Sequence, residues 1–100
     1  MRLNQFEVQS IIETFESIFG PEDHLWLFGS RVDDTRKGGD IDLFIESALL
    51  REELRKKKFD FWVALIDKIG DQKIDIITYH FGDLSLPIHE EARNTGIRLK

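Results

Sequence analysis

The chain has 100 residues, 41% hydrophobic and 33% charged, with a net charge of −5 and no cysteine. That size and balance suit one folded unit over residues 1–100 and exclude a disordered or collagen-like chain, a disulfide frame and thiolate chemistry. The acidic balance argues against non-specific nucleic-acid binding, and the longest apolar run, the six residues Phe61 to Ile66, falls far short of the about 20 that a spanning helix needs. Glu7, Glu13 and Glu16 interrupt the first 20 residues, so no secretory leader is expected and the cytoplasm is the expected location.

The spacing of Val8, Ile11, Ile12, Phe15, Ile18 and Phe19 predicts a first helix. Asn4 and Glu7 stand as a capping box, Leu3 and Val8 as a hydrophobic staple, and Gly20-Pro21 as the stop. His24 to Phe28 reads as a buried strand broken by Gly29-Ser30. Residues 31–39 are polar, end in Gly38-Gly39 and read as a loop with room for one helical turn. Asp40 to Ile45 reads as a second strand. Residues 51–69 read as a helix stopped by Gly70, with Phe59, Trp62, Val63, Ile66 and Ile69 as its core face. Lys73 to Tyr79 reads as a third, β-branched strand. Pro87 suits the first turn of a last helix running to about Asn94, with Gly96 as its stop and Ile97 to Leu99 as a terminal strand. Helices alternating with strands predict an α/β or α+β fold, a short mixed sheet with helices mainly on one face.

The chemistry centres on Asp40-Ile41-Asp42-Leu43. Side chains alternate along a strand, so Asp40 and Asp42 share one face while Ile41, Leu43 and Ile45 anchor the other. At a separation of about 6–7 Å and an effective dielectric near 20, two such charges repel by roughly 2–3 kcal/mol. A hard divalent cation reverses that sign, and Mg²⁺ completes its shell with water and phosphates. The bland alternative is an exposed Asp at a strand end. Gly29-Ser30 directly follows an apolar strand, as a phosphate-cradling turn does, with Arg31 and Arg36 close in sequence. The alternative there is a plain turn with Ser30 as an N-cap. Asp75 stands alone in a β-branched strand, where a buried carboxylate is costly unless paired or ligating a metal. The alternative is a sheet-edge Asp facing water. Asp71 and Asp83 sit in turn-like contexts and are weaker candidates.

Other chemistries lack their residues. His24, His80 and His89 have no zinc spacing. There is no Walker A sequence, no Gly-x-Gly-x-x-Gly, no EF-hand pattern and no Gly-x-Ser-x-Gly elbow.

An apolar strand, Gly-Ser, a nine-residue spacer, Asp-Ile-Asp-Leu and a later strand Asp resemble the nucleotidyltransferase superfamily of DNA polymerase β. In size the chain is similar to its minimal prokaryotic members, the MNT group. The resemblance extends to the closing Ala92 to Leu99 segment. It implies Mg²⁺-dependent transfer of a nucleoside monophosphate, with Gly29, Ser30 and Arg31 binding the nucleotide. It further implies Asp40, Asp42 and Asp75 as metal and catalytic carboxylates, with Asp75 as the general base. Minimal members are typically paired with a HEPN-domain ribonuclease toxin, and some adenylylate its tyrosine from ATP. The resemblance thus implies an antitoxin with a HEPN partner. Transfer to a small molecule or nucleic acid, and a non-catalytic module that blocks its partner sterically, stand as alternatives.

A partner surface has one indication in the residues themselves. Leu54, Phe61 and Leu65 form a second apolar stripe on the 51–69 helix, widening its apolar arc to about 200°, beyond the roughly 100° a surface helix needs. That stripe is either an interface or the mark of a more deeply buried helix. The Arg55-Lys56-Lys57-Lys58 run is either a phosphate-neutralising patch or a solvated face.

Overall fold

The structure is a computed structural model and describes residues 3–32, 40–70 and 72–100. Helix α1 (Gln5–Ile18) starts where Asn4 stops it from fraying. Asn4 Oδ1 accepts the Glu7 backbone N–H at 2.7 Å, and Glu7 Oε1 accepts that of Asn4 at 3.1 Å. Each closes one donor that a helix start leaves unsatisfied. The chain then forms β1 (His24–Phe28), a short 3₁₀ turn η1 (Gly29–Val32) and β2 (Ile41–Ser47). Helix α2 (Arg51–Ile69) leads to β3 (Ile74–His80), and α3 (Pro87–Thr95) leads to β4 (Ile97–Arg98). The expected strands at Asp40–Ile45 and Lys73–Tyr79 are present, shifted by one or two residues toward the C-terminus.

The sheet has the order β3-β2-β1-β4. β1 runs antiparallel to β2 and β4, whereas β2 and β3 are parallel, as the crossover through α2 requires. Alternation sorts the side chains onto two faces. Leu25, Leu27, Ile41, Leu43, Ile45, Ile74 and Ile76 point toward α1 and α2 and form the main core with Ile11, Phe15, Phe19, Leu54, Phe61 and Leu65. The opposite face carries α3, whose Ala92 and Ile88 pack with Phe28, Phe44 and Trp26. The mixed α/β fold with helices mainly on one face is thus the observed one.

The α2 core face differs from the expected one. Leu54, Phe61 and Leu65 are buried, while Phe59, Trp62 and Val63 are 63%, 40% and 45% exposed. Ile66 and Ile69 keep part of their expected role at the core margin. Packing against α1 decides the rotation. Phe61 meets Phe15 and Phe19 edge-on at centroid distances of 6.1 and 6.0 Å, each such pair contributing about 0.5–1.5 kcal/mol beyond burial. Lys57 Nζ also donates to the Ile18 carbonyl at 2.9 Å, closing an acceptor at the end of α1. The Leu54–Phe61–Leu65 stripe is therefore the chain's own core and not a partner surface.

A charged network fastens α3. Glu46 is buried on the α3 face and accepts from Arg93 Nε at 2.6 Å, Trp26 Nε1 at 3.2 Å and His24 Nδ1 at 2.9 Å. The Arg93 guanidinium lies over the Tyr79 and Phe44 rings at 4.7 and 5.4 Å and donates to Ser85 Oγ. Gly96 closes the contact at the other end of α3. A Cβ there would strike the Ala92 and Leu27 carbonyls.

Two measurements test this packing. Phe61→Ala should cost about 3–5 kcal/mol in urea unfolding, and Phe59→Ala, on the exposed side, within about 0.5 kcal/mol. Leu65→Asp should unfold the domain outright, since it buries a carboxylate among Phe61 and Leu54. Burial alone would raise the Glu46 pKa, but the donors from Arg93, His24 and Trp26 outweigh it and hold the group below its ordinary 4.5. A carboxylate with a lowered folded pKa contributes stability above its unfolded value and loses it as pH falls through the folded one. Glu46→Gln should therefore lower stability at pH 7 by about 1.5–3 kcal/mol and flatten the acid limb of the stability curve below about pH 4.5.

Candidate active site

The two strand registers build the site. Antiparallel pairing sets Phe28 opposite Asp42, and parallel pairing sets Asp42 opposite Asp75. Directly paired residues share a face, so Phe28, Asp42 and Asp75 form one row across three strands on the α3 side of the sheet. The next row, Trp26, Phe44 and Ile77, is apolar. The row after that, His24, Glu46 and Tyr79, carries the network that holds α3. The helix thus covers the far end of the face, leaving Asp42 half-buried and Asp75 exposed.

Neighbouring strands lie about 4.8 Å apart, so the Asp42 and Asp75 carboxylates start from adjacent positions. At about 5 Å and an effective dielectric of 20 their gross repulsion is about 3 kcal/mol. The Asp42 pKa is raised, first by burial, then by the Asp75 and Asp40 charges, with Lys73 acting against the rise. Lys73 Nζ lies 3.4 Å from Asp40 Oδ2, so the cation serves the acid at the strand end more than the pair in the middle.

Gly29 meets the same carboxylate from the other side. Its φ is +77°, in the left-handed region, and a Cβ at this position would overlap the Asp42 carboxylate. Glycine is needed here on both counts, and it brings the main chain of η1 directly against the acid row. Ser30 and Arg31 follow in the same turn, with Arg31 half-buried. Gly29 therefore borders the row that contains Asp42 and Asp75, Ser30 and Arg31 continue η1 from it, and Asp40 stands just before β2. Arg36, Gly38, Gly39 and Asp71 lie outside the described residues.

Several expectations are sharpened or changed. Asp75 is exposed at the sheet edge, so no burial cost attaches to it, and its strain is the repulsion from Asp42. Asp83, a weaker candidate from sequence, sits 3.7 Å from Arg51 and its carbonyl accepts the Tyr79 hydroxyl. The histidines serve the fold. His24 bonds Glu46, His80 Nδ1 bonds the Leu49 carbonyl, and His89 Nδ1 accepts the Leu86 N–H. Two contributors escaped the sequence reading. One is Lys73, whose position directly before the Asp75 strand is a usable signal. The other is a groove of about 840 Å³ in which Arg55, Lys58, Phe59 and Trp62 of α2 face Asp42 and Asp75. Only the rotation of α2 reveals it.

The family model of the nucleotidyltransferase domain matches residues 8–94, a span that includes every one of these site residues. The chain belongs to this family. No individual curated protein matches it. Nucleotidyl transfer is accordingly the reaction class of the domain, and the nucleotidyltransferase family generally works with a nucleoside triphosphate and a divalent metal.

The acid row fits such a metal in donor type and in electrostatics. Hard carboxylate oxygens stand together, and Asp42 holds a proton more readily than an isolated acid, first because of its burial and then because of the Asp75 and Asp40 charges. Among the described residues no group of three acidic, cysteine or imidazole side chains is placed to hold an ion. Two adjacent carboxylates are the number Mg²⁺ takes when it fills its remaining positions with water and substrate phosphates.

The repulsion in this nucleotidyltransferase row predicts a stability gain on neutralisation. Asp42→Asn should raise the melting temperature in EDTA, by about 0.5–1.5 kcal/mol after screening at a half-exposed site, or several degrees. A carboxylate with a raised folded pKa destabilises where it is ionised, so the gain is full near neutrality and fades as pH falls toward 4. A melt well below wild type at pH 7 would make Asp42 a structural residue.

Proposed function

We propose that this nucleotidyltransferase domain transfers AMP from ATP to a tyrosine of a HEPN-domain ribonuclease toxin and so acts as its antitoxin. The observation that carries the catalytic part is the Asp42–Asp75 pairing in register, with the Gly29 turn against it. The antitoxin role and the HEPN partner rest on the resemblance of the motif and chain size to minimal nucleotidyltransferases.

In this reading the turn at Gly29, Ser30 and Arg31 holds the triphosphate, because an uncovered main chain and a cation suit an anion. Asp40, Asp42 and Asp75 would hold Mg²⁺, which would neutralise the charge on the phosphates. Asp75, exposed at the edge, takes the proton of the attacking hydroxyl. The new bond joins that oxygen to the α-phosphorus, the bond to the β-phosphate oxygen breaks, and pyrophosphate leaves. The protein contributes position and charge compensation, the main terms in phosphoryl-type transfer.

Incubation of the chain with a HEPN toxin, Mg²⁺ and ATP, followed by intact-mass measurement, tests the proposal. The toxin should gain one or more AMP units, and Asp42→Asn or Asp75→Asn should slow this by at least about 10²-fold. Mg²⁺ with ATP should also raise the melting temperature of wild type and leave Asp42→Asn nearly unmoved, since only ligand bound to the native state shifts the equilibrium. An inhibited toxin of unchanged mass would overturn the enzymatic reading in favour of steric neutralisation.

A further inference from the structure

Across the sheet the order is Gly29 turn, Asp42, Asp75, then sheet edge, because among the described residues β3 has a strand partner on one side only. α2 overhangs that edge. Two hollows adjoin along it, of about 840 and 460 Å³, and both are lined by Arg55 and Lys58. They form one groove that runs from the acid row along β3. The larger part is walled by Phe59 and Trp62 against Ile77 and Ile88, and the smaller adds Arg51 and the exposed Leu84 and Leu86.

Three of the six cations of α2 stand on this groove. Arg51, Arg55 and Lys58 follow the helical spacing of one face and line it. Glu52, Glu53 and Asp60 line a separate hollow on another side of the helix together with Lys56 and Lys57. Arg51 has Asp83 beside it, but among the described residues neither Arg55 nor Lys58 forms an ion pair. A chain with net charge −5 thus presents unpaired cations and exposed aromatic surface together, next to its carboxylates.

We propose that this groove docks an acidic, apolar segment of a protein partner. Carboxylates of the segment meet Arg55 and Lys58, its apolar side chains cover Phe59 and Trp62, and a hydroxyl side chain reaches Asp75. Calling that hydroxyl the acceptor rests on the nucleotidyl-transfer reading above, whereas the docking itself does not. The occupant is a protein segment and not a nucleic acid, because Ile77, Ile88, Leu84 and Leu86 offer aliphatic surface that bases do not seek. The seven residues of β3 span about 23 Å, room for about seven residues of extended peptide.

Selection of random displayed peptides of about 12 residues, enough to span the edge at about 3.3 Å per residue, on the full chain tests the proposal. Enriched peptides should combine Asp or Glu with Leu, Ile or aromatic residues. Their synthetic forms should lose at least about tenfold in affinity on Arg55→Glu and on Phe59→Ser, two exposed positions whose variants should melt like wild type. No enrichment, enriched peptides without acidic residues, or equal affinity for both variants would overturn it. So would a thymidine oligonucleotide that binds in the same groove more tightly than the peptides. All binding is measured without nucleotide or metal, so a parallel melt with Mg²⁺ and ATP separates the two readings. A nucleotide shift without peptide binding sinks the dock alone, and peptide binding without a nucleotide shift sinks nucleotidyl transfer alone.

Discussion

The parallel register of β2 on β3 is the constraint on which the site depends. Ile41 faces Ile74 and Leu43 faces Ile76 on the side covered by α1 and α2, and the same register sets Asp42 against Asp75 on the other. A slip of one residue would turn Asp75 into the core and Ile74 and Ile76 out of it. Burial of each Ile or Leu is worth about 1.5–3 kcal/mol, so these four residues together outweigh the roughly 3 kcal/mol of gross repulsion between the acids. The hydrophobic face thus holds two like charges in a place they would not choose.

The other face treats its two sets of acids oppositely, and that contrast locates the function. Glu46 is buried but met by Arg93, His24 and Trp26, so its charge is stabilised and its role is to fasten α3. Asp42 is less buried, yet desolvation first and then the like charges of Asp75 and Asp40 raise its pKa. With α3 fixed over the Glu46 end, the Asp42 end stays open beside Gly29. In the proposed nucleotidyl transfer, a cation and a phosphate chain would compensate the mutually repelling carboxylates left open beside this turn.

Helix α2 links this site to a surface. Its apolar residues outnumber what one face can bury, and α1 takes the side bearing Leu54, Phe61 and Leu65. Phe59 and Trp62 are then left on the groove side, in line with Arg55 and Lys58. Core packing between α1 and α2 therefore also determines what stands beside Asp75.

Much of this was legible in the sequence because it is local. Capping by Asn4 and Glu7, the stops at Gly20 and Gly70, Pro87 at a helix start and the alternation in Asp40 to Ile45 each act within a few residues, and elements appeared close to their expected bounds. The same alternation turns Asp42 away from Ile41 and Leu43, which lie in the core. Tertiary structure decided what depends on which element lies next to which. It placed Asp75 opposite Asp42, matched Glu46 with Arg93 across 47 residues and put Asp42 against Gly29. It also chose which of two apolar stripes on α2 enters the core, because 3.6-residue spacing fits both and only the Phe15 and Phe19 rings of α1 distinguish them.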